Sequence, residues 1–360
     1  MPARDDAPRA ATRDDVARLA GVSSAVVSYV LNDGPRPVAA ATRARVLAAI
    51  AELGYRPNAT ARALRLRRTR TLALLVPDIG NPFFAELAKA VQAAAFARGH
   101  AVTYGDTEYD PERERAQLAA LAERRPDGVL VIGGTPELLA PLHEAGIPLV
   151  TLDHPAEHDP GAGPGSVVPG SVAPGSVAPA PSVGIDDVAA ARAGIRHLQE
   201  HGHERIALIA GPPGSPAARA RRRAWTELVA PRLDPELAAA LVATAGYTRE
   251  GGYLAAGELL DRAAAPSAVF VSADVQAIGA LRAVAERGVR VPEDLAVLSF
   301  DGTTEAQFTS PPLSVIRQPL DAIAEAAVSL LLDRAGTVDA RRILVPSELV
   351  PRDSCGPHPA

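Results

Sequence analysis

Ser24, Ala25, Ser28, Tyr29 and Asn32 recur at helical spacing opposite an apolar stripe of Val27, Val30 and Leu31. Short hydroxyls, one phenol and one amide place donors and acceptors on a face small enough to enter a groove and read polar edges there. Ser23, just before them, can cap the helix that presents this face.

That helix must be held by neighbours. Thr12-Arg13-Asp14-Asp15 fits an N-cap with an acidic residue three positions on, and Val16, Leu19 and Ala20 follow at helical spacing up to Gly21. After the turn Asn32-Asp33-Gly34-Pro35, a third helix is expected from about Ala40 to Leu53, with Val46, Leu47, Ile50 and Leu53 inward and Gly54 as its stop. Two helices joined by a tight glycine turn, the second presenting short side chains at its start, form the helix-turn-helix arrangement for the major groove. Charge agrees with this. Residues 1–71 hold 13 arginines against six acidic residues, whereas the whole chain is net −5, so polyanion binding is confined to the N-terminal end.

The run DVARLAGVSSAVVSYVLN, followed by TRARVLAAIAELGYRPNATARALR, resembles the DNA-binding headpiece of the LacI/GalR family of bacterial transcription regulators. The resemblance implies base-reading roles for Ser24, Ala25 and Tyr29 and backbone contacts for Ser28 and Asn32, with Thr12 and Ser23 in the same DNA-contacting set. Tyr29 stands where the family commonly has arginine, which exchanges a bidentate contact to guanine for one hydroxyl and a ring. Val26 replaces the usual threonine and removes one phosphate contact.

Beyond Pro57, a short helix is expected from Asn58 to about Leu66, with Ala59, Ala61 and Ala63 alternating with Thr60, Arg62, Leu64 and Arg65. In the family this hinge helix forms on operator DNA beside its partner copy in the minor groove, where a leucine wedges open the central base step. Leu64 has that position, although a linker-core role suits it too. Asn58, Ala61, Arg62 and Arg65 complete the implied hinge contacts. So short a helix is marginal alone and is expected to be disordered off DNA.

From Leu72 onward, apolar β-rich runs such as LALLVP, GVLVIGG, IALIAG, SAVFVS and LAVLSFD alternate with amphipathic stretches, the rhythm of parallel sheets covered by helices. The rhythm restarts after residue 182, which implies two subdomains with a cleft at the strand ends. The expected fold is a small all-α headpiece over 1–57, a hinge helix and linker over 58–70, and an α/β core of two doubly wound subdomains over 71–355. This core resembles the family's effector-binding domain, similar in fold to periplasmic sugar-binding proteins. Carried across, the family's pocket positions are Asp153, Arg221, Ala273 or Asp274, and Asp301, with Phe83 and Phe84 near the cleft. Asp153 and Asp301 can equally cap loops or helices, and the two phenylalanines can equally be core. Ala273 replaces an asparagine common in the family, and Asp187 stands where asparagine is common. Carboxylates and an arginine around a cleft suit sugar hydroxyls, and also a general acid and base. No nucleophile elbow, metal-ligand spacing or GK[ST] loop accompanies them, so neither an enzyme nor a cofactor or metal is expected.

The repeats GSVVP, GSVAP and GSVAP mark a solvated insert, expected to be a disordered loop over about 156–182. The single cysteine, Cys355, cannot form an internal disulfide, no apolar run reaches membrane-span length, and the charged N-terminus lacks a secretory signal's apolar region. A cytoplasmic protein is expected. No leucine heptads close the chain, which favours a homodimer over a tetramer. Its expected partners are a nearly palindromic double-stranded operator and a small effector, a sugar or nucleoside, with no membrane. A sugar-binding module of a transport system is the alternative.

Overall fold

The computed structural model describes residues 11–31, 37–56, 68–152, 167–169, 180–262, 266–333 and 341–356, and the chain divides into two units, 1–69 and 70–360.

In the first unit three helices, α1 (Arg13–Ala20), α2 (Ser24–Leu31) and α3 (Ala40–Leu53), share one core. The Thr12 hydroxyl accepts the Asp15 N–H at 3.3 Å and the Asp15 carboxylate accepts the Thr12 N–H at 2.9 Å, a reciprocal cap that fixes where α1 begins. Gly21, at φ 62°, ends α1 in the left-handed conformation that costs glycine little. The core is Val16, Ala17, Ala20, Val27, Val30, Val46 and Ala49. Leu47 and Leu53, expected inward, are exposed, as is Leu19 of α1, and Ile50 is only partly buried. Ala17 and Ala49 take interior places because closely crossing short helices leave room there for a methyl group.

The second unit runs β1 (Thr71–Val76), α4 (Pro82–Ala97), β2 (Ala101–Asp106), α5 (Pro111–Arg124), β3 (Gly128–Ile132), α6 (Pro136–Glu144), β4 (Leu149–Leu152), β5 (Val167–Pro169) and β6 (Ser182–Gly184). It continues with α7 (Asp187–Glu200), β7 (Ile206–Ala210), α8 (Pro216–Leu228), α9 (Pro235–Ala240), β8 (Val242–Thr244), α10 (Arg249–Asp261), β9 (Ala268–Val271), α11 (Asp274–Glu286) and β10 (Ala296–Asp301). The last elements are β11 (Ser314–Arg317), α12 (Leu320–Leu332), β12 (Arg341–Leu344) and β13 (Glu348–Val350).

Two sheets result, ordered β2-β1-β3-β4-β6-β12-β5 and β13-β11-β10-β9-β7-β8. Among the described residues, strands pair in parallel except β5 with β12 and β13 with β11. Alternation along β1 explains the layering. Leu72, Leu74 and Val76 belong to the core that includes α4 and α12, whereas Ala73 and Leu75 pack with Leu118, Leu139 and Leu142 of α5 and α6. The subdomains are not successive halves of the chain. The chain crosses after β6, β11 and β12, so that α12 and β12 complete the first sheet from late in the sequence. α10 and α11 meet at glycines, where a Cβ on Gly279 would lie 1.8 Å from the Arg249 carbonyl oxygen.

Within the stretch expected to be a loop, the described residues include one short strand and the start of a second. Val167–Pro169 pairs antiparallel with β12, and Ser182 already belongs to β6. The backbone of this short strand pairs with an edge of β12 that would otherwise be bare.

Candidate ligand cavity and DNA-reading face

On α2, Val27 and Val30 are buried against α1 and α3, while Ala25 is exposed and Ser24, Ser28 and Tyr29 are partly exposed. The face expected to read a groove is therefore presented by a helix that its apolar stripe anchors. Ser23 is exposed, and its carbonyl accepts the Val26 and Val27 N–H groups at 3.0 and 3.2 Å as the helix begins. Thr12 is occupied by its cap. Asn32, Asn58, Ala61, Arg62, Leu64 and Arg65 lie outside the described residues.

In the second unit a cavity of about 700 Å³ opens at the carboxyl ends of the strands of both sheets. The turns after β1, β2 and β3 supply Pro77, Thr107 and Gly133, those after β7, β8 and β9 supply Ser215, Tyr247 and Ala273, and Asp301 is the last residue of β10. Phe83 and Phe84 line it from α4 as an edge-to-face pair, centroids 5.2 Å apart. Asn81, Thr135 and Ser215 also line it, and each caps a helix: their side chains accept the N–H groups of Phe83, Leu138 and Ala218. Three helix N-termini therefore face the cavity and favour electronegative ligand atoms. The loop Gly211-Pro212-Pro213-Gly214 offers carbonyls rather than amides, and those of Pro213 and Gly214 accept from Arg219 at 3.3 and 3.1 Å.

Arg221, on α8, is 3 % exposed at its side chain and held from several directions. Its guanidinium donates to Asp187 at 2.8 Å and to the Ser272 carbonyl, and stands 3.7 Å from Asp301. Burial pushes the Asp187 carboxyl up, against the pull of Arg221. Asp301 accepts from the Gln318 amide at 3.0 Å and has φ 111°, a conformation L residues rarely adopt. A strained backbone at a cavity-lining carboxylate places that group where relaxed geometry would not. Glu114 lines the opposite wall, and partial burial raises its pKa.

Phe83, Phe84, Arg221, Ala273 and Asp301 thus meet around one cavity, and Asp153 lies outside the described residues. Asp274 does not line it. Its buried carboxylate accepts from the Ser299 hydroxyl and from the Thr303 N–H and hydroxyl at 2.6 and 2.9 Å, anchoring the turn after β10. Burial pushes it up to about 6 despite those donors. Tyr247, Thr107 and Glu114 are lining residues that sequence reading missed; they stand in turns or on a solvent-facing helix turn without a motif of their own, and Arg219, in the same arginine run as Arg221, lines the cavity beside it.

Residues 12–58 match the model of the bacterial regulatory proteins, lacI family, and residues 195–355 that of the periplasmic binding protein-like domain. The HTH-type transcriptional repressor CytR of Escherichia coli (strain K12) is 34% identical over 329 residues, covering 90% of each chain. The chain belongs to the lacI family. Among solved structures, the lac repressor dimer bound to operator and the anti-inducer ONPF aligns at 26% identity over 97% of this chain and all of that one, TM-score 0.80. The complex of the transcriptional regulator CelR with cellobiose aligns at 32% identity over 96% and 99%, TM-score 0.67. As a lacI-family regulator, the chain joins a helix-turn-helix unit to a two-sheet core, which favours regulation over a transport module. Among the described residues no group of three or more His, Cys, Asp or Glu is placed to hold a metal ion, and no helix is long and apolar enough to cross a membrane.

Proposed function

We propose that this protein is a cytoplasmic homodimeric repressor that binds a nearly palindromic operator and is controlled by a sugar or nucleoside in the cavity between its sheets. The observation that carries this reading is the convergence of Asp301, Arg221, Phe83 and Phe84 on a cavity of about 700 Å³, in a chain whose first unit presents a groove-sized polar helix face. That volume suits a nucleoside or a small saccharide. Carboxylate and guanidinium groups at its base can hydrogen-bond hydroxyls, while the aromatic pair covers a ring's apolar face. Binding, rather than turnover, fits the chemistry: Arg221 and Asp301 are engaged by protein partners, and the relatives are repressors.

Ser24, Ala25 and Tyr29 read base edges, Ser28 and Asn32 contact the backbone, Thr12 and Ser23 belong to the same DNA-contacting set, and Leu64 of the hinge acts as a wedge, with Asn58, Ala61, Arg62 and Arg65 completing the hinge contacts. Effector binding alters the separation of the subdomains and, through it, the hinges. Such control requires ligand to bind the two states unequally, and DNA must then change ligand affinity by the same factor.

Two substitutions test the division of labour. Leu64→Ala is expected to weaken operator binding and spare ligand binding, whereas Asp301→Ala abolishes the effector response and spares DNA binding. Unchanged operator affinity in the first, or a normal response in the second, contradicts the corresponding assignment.

A further inference from the structure

Glu86 lies on α4, in the wall that carries Phe83 and Phe84, and its carboxylate accepts the backbone N–H of Thr304 at 2.8 Å. Thr304 follows Asp301 by three residues in the opposite wall and begins a 3-10 turn, Thr304–Phe308. The bond therefore spans the two subdomains beside the cavity, at a place distinct from the chain crossings after β6, β11 and β12.

The helix that carries Glu86 and the turn that carries Thr304 are each packed within their own subdomain. On α4, Phe83, Phe84, Leu87 and Ala88 are buried around Glu86. On the other side, the Asp274 carboxylate holds Thr303 through its N–H and hydroxyl at 2.6 and 2.9 Å. Gln318 holds Asp301, its side-chain amide on the carboxylate at 3.0 Å and its backbone N–H on the carbonyl at 2.9 Å. At Gly302, φ 75°, an added Cβ would sit 2.6 Å from the Arg317 Cβ, so this turn packs directly on β11. A turn anchored in three ways does not flex to follow Glu86. Relative movement of the walls beyond the reach of the Glu86 side chain must break the bond.

We propose that Glu86 is a positioning residue: through the Thr304 amide it fixes the separation of the cavity's two walls, and with it the span that a ligand must bridge. The inference concerns the opening of the cleft and is independent of which compound binds and of any contact with DNA.

Pulsed electron–electron resonance reads this separation in the full chain, with spin labels at Glu123→Cys on α5 and Arg222→Cys on α8 and with labelled chains diluted by unlabelled ones. Both positions are exposed, and Cys355 is buried. Glu86→Ala removes the acceptor. Thr304→Pro removes the donor at a position suited to proline, the first residue of a helical turn after an extended Thr303 with φ −62° and ψ 158°. Each variant is expected to raise the ratio of long to short separations about fivefold. The double variant should shift no further, and Glu86→Gln, which keeps an acceptor oxygen, should retain most of the wild-type distribution. Because the two variants alter opposite walls, either one reads the bond if the other fails to fold. Wild-type distances in a folded single variant overturn the proposal, as do additive shifts in the double variant.

Discussion

The guanidinium carbon of Arg221 stands 3.7 Å from the centroid of the Phe300 ring. With Asp187 and the Ser272 carbonyl as hydrogen-bond partners, Arg221 is braced on an aromatic face before any ligand arrives, and Asp301, 3.7 Å away, is the neighbour it can share with one.

Removing this guanidinium strands a buried carboxylate. Arg221→Met is expected to cost about 3–5 kcal/mol in urea unfolding followed at neutral pH, and adding Asp187→Leu should recover part of that loss because both charges are then gone. Equal stability of wild type and Arg221→Met would mean that the pair contributes little.

Asp274 gives the core a pH dependence of definite sign. Its carboxyl is raised from 3.8 to about 6 in the folded chain, so the folded state holds its proton more tightly than the unfolded state. The stability it contributes is full below about pH 4, declines as pH rises to about 6, and is flat beyond, a change on the order of 3 kcal/mol. Unfolding midpoints measured between pH 4 and 7 should show this fall in wild type and lose it in Asp274→Asn. A rise over that interval attributable to Asp274 would reverse the sign.

Where α10 meets α11, backbone touches backbone. Gly279→Ala would bring a methyl 1.8 Å from the Arg249 carbonyl oxygen, and the helices must separate. A loss of about 1–3 kcal/mol, or failure to fold, is expected from calorimetry; an unshifted melting temperature would show that the helices part freely.

How far these features could be read from sequence depended on their range. Capping by Thr12 and Asp15 is local chemistry, and the span of α3 follows from apolar period and the glycine that stops it. Inward residues were harder: Leu19 and Leu47 share the apolar stripe but lie outside a core that accommodates Ala17 and Ala49. β6, β11 and β13 are too short to show a period, and the return of α12 to the first sheet is a fact of topology, absent from any local pattern. The family's pocket positions include Arg221 and Asp301, which line the cavity, but leave Ala273 or Asp274 open; the N-terminus of α11 turns the first toward the cavity and the second toward Thr303. Tyr247 was invisible because only the assembled strand ends bring it beside Ser215, 3.4 Å from its hydroxyl.

Loss of the Thr12 hydroxyl tests the headpiece. In Thr12→Ala the reciprocal cap is broken, at a cost of about 1 kcal/mol, so amide exchange in α1 of the full chain should quicken about fivefold, while Thr12→Ser stays near wild type. Equal exchange in Thr12→Ala would mean that packing of Val16 and Ala20 alone sets the start of α1.

Sequence-specific DNA binding under ligand control is tested most directly by selecting genomic fragments with the purified full chain, then titrating the enriched duplex by fluorescence anisotropy at fixed salt, with and without ribose, cellobiose, adenosine or cytidine. The expected result is a nearly palindromic sequence bound about a thousandfold or more tighter than a scrambled duplex, with affinity lowered in Tyr29→Ala and altered by one of these compounds. No enriched sequence, and equal affinity for the selected and scrambled duplexes, would contradict the account.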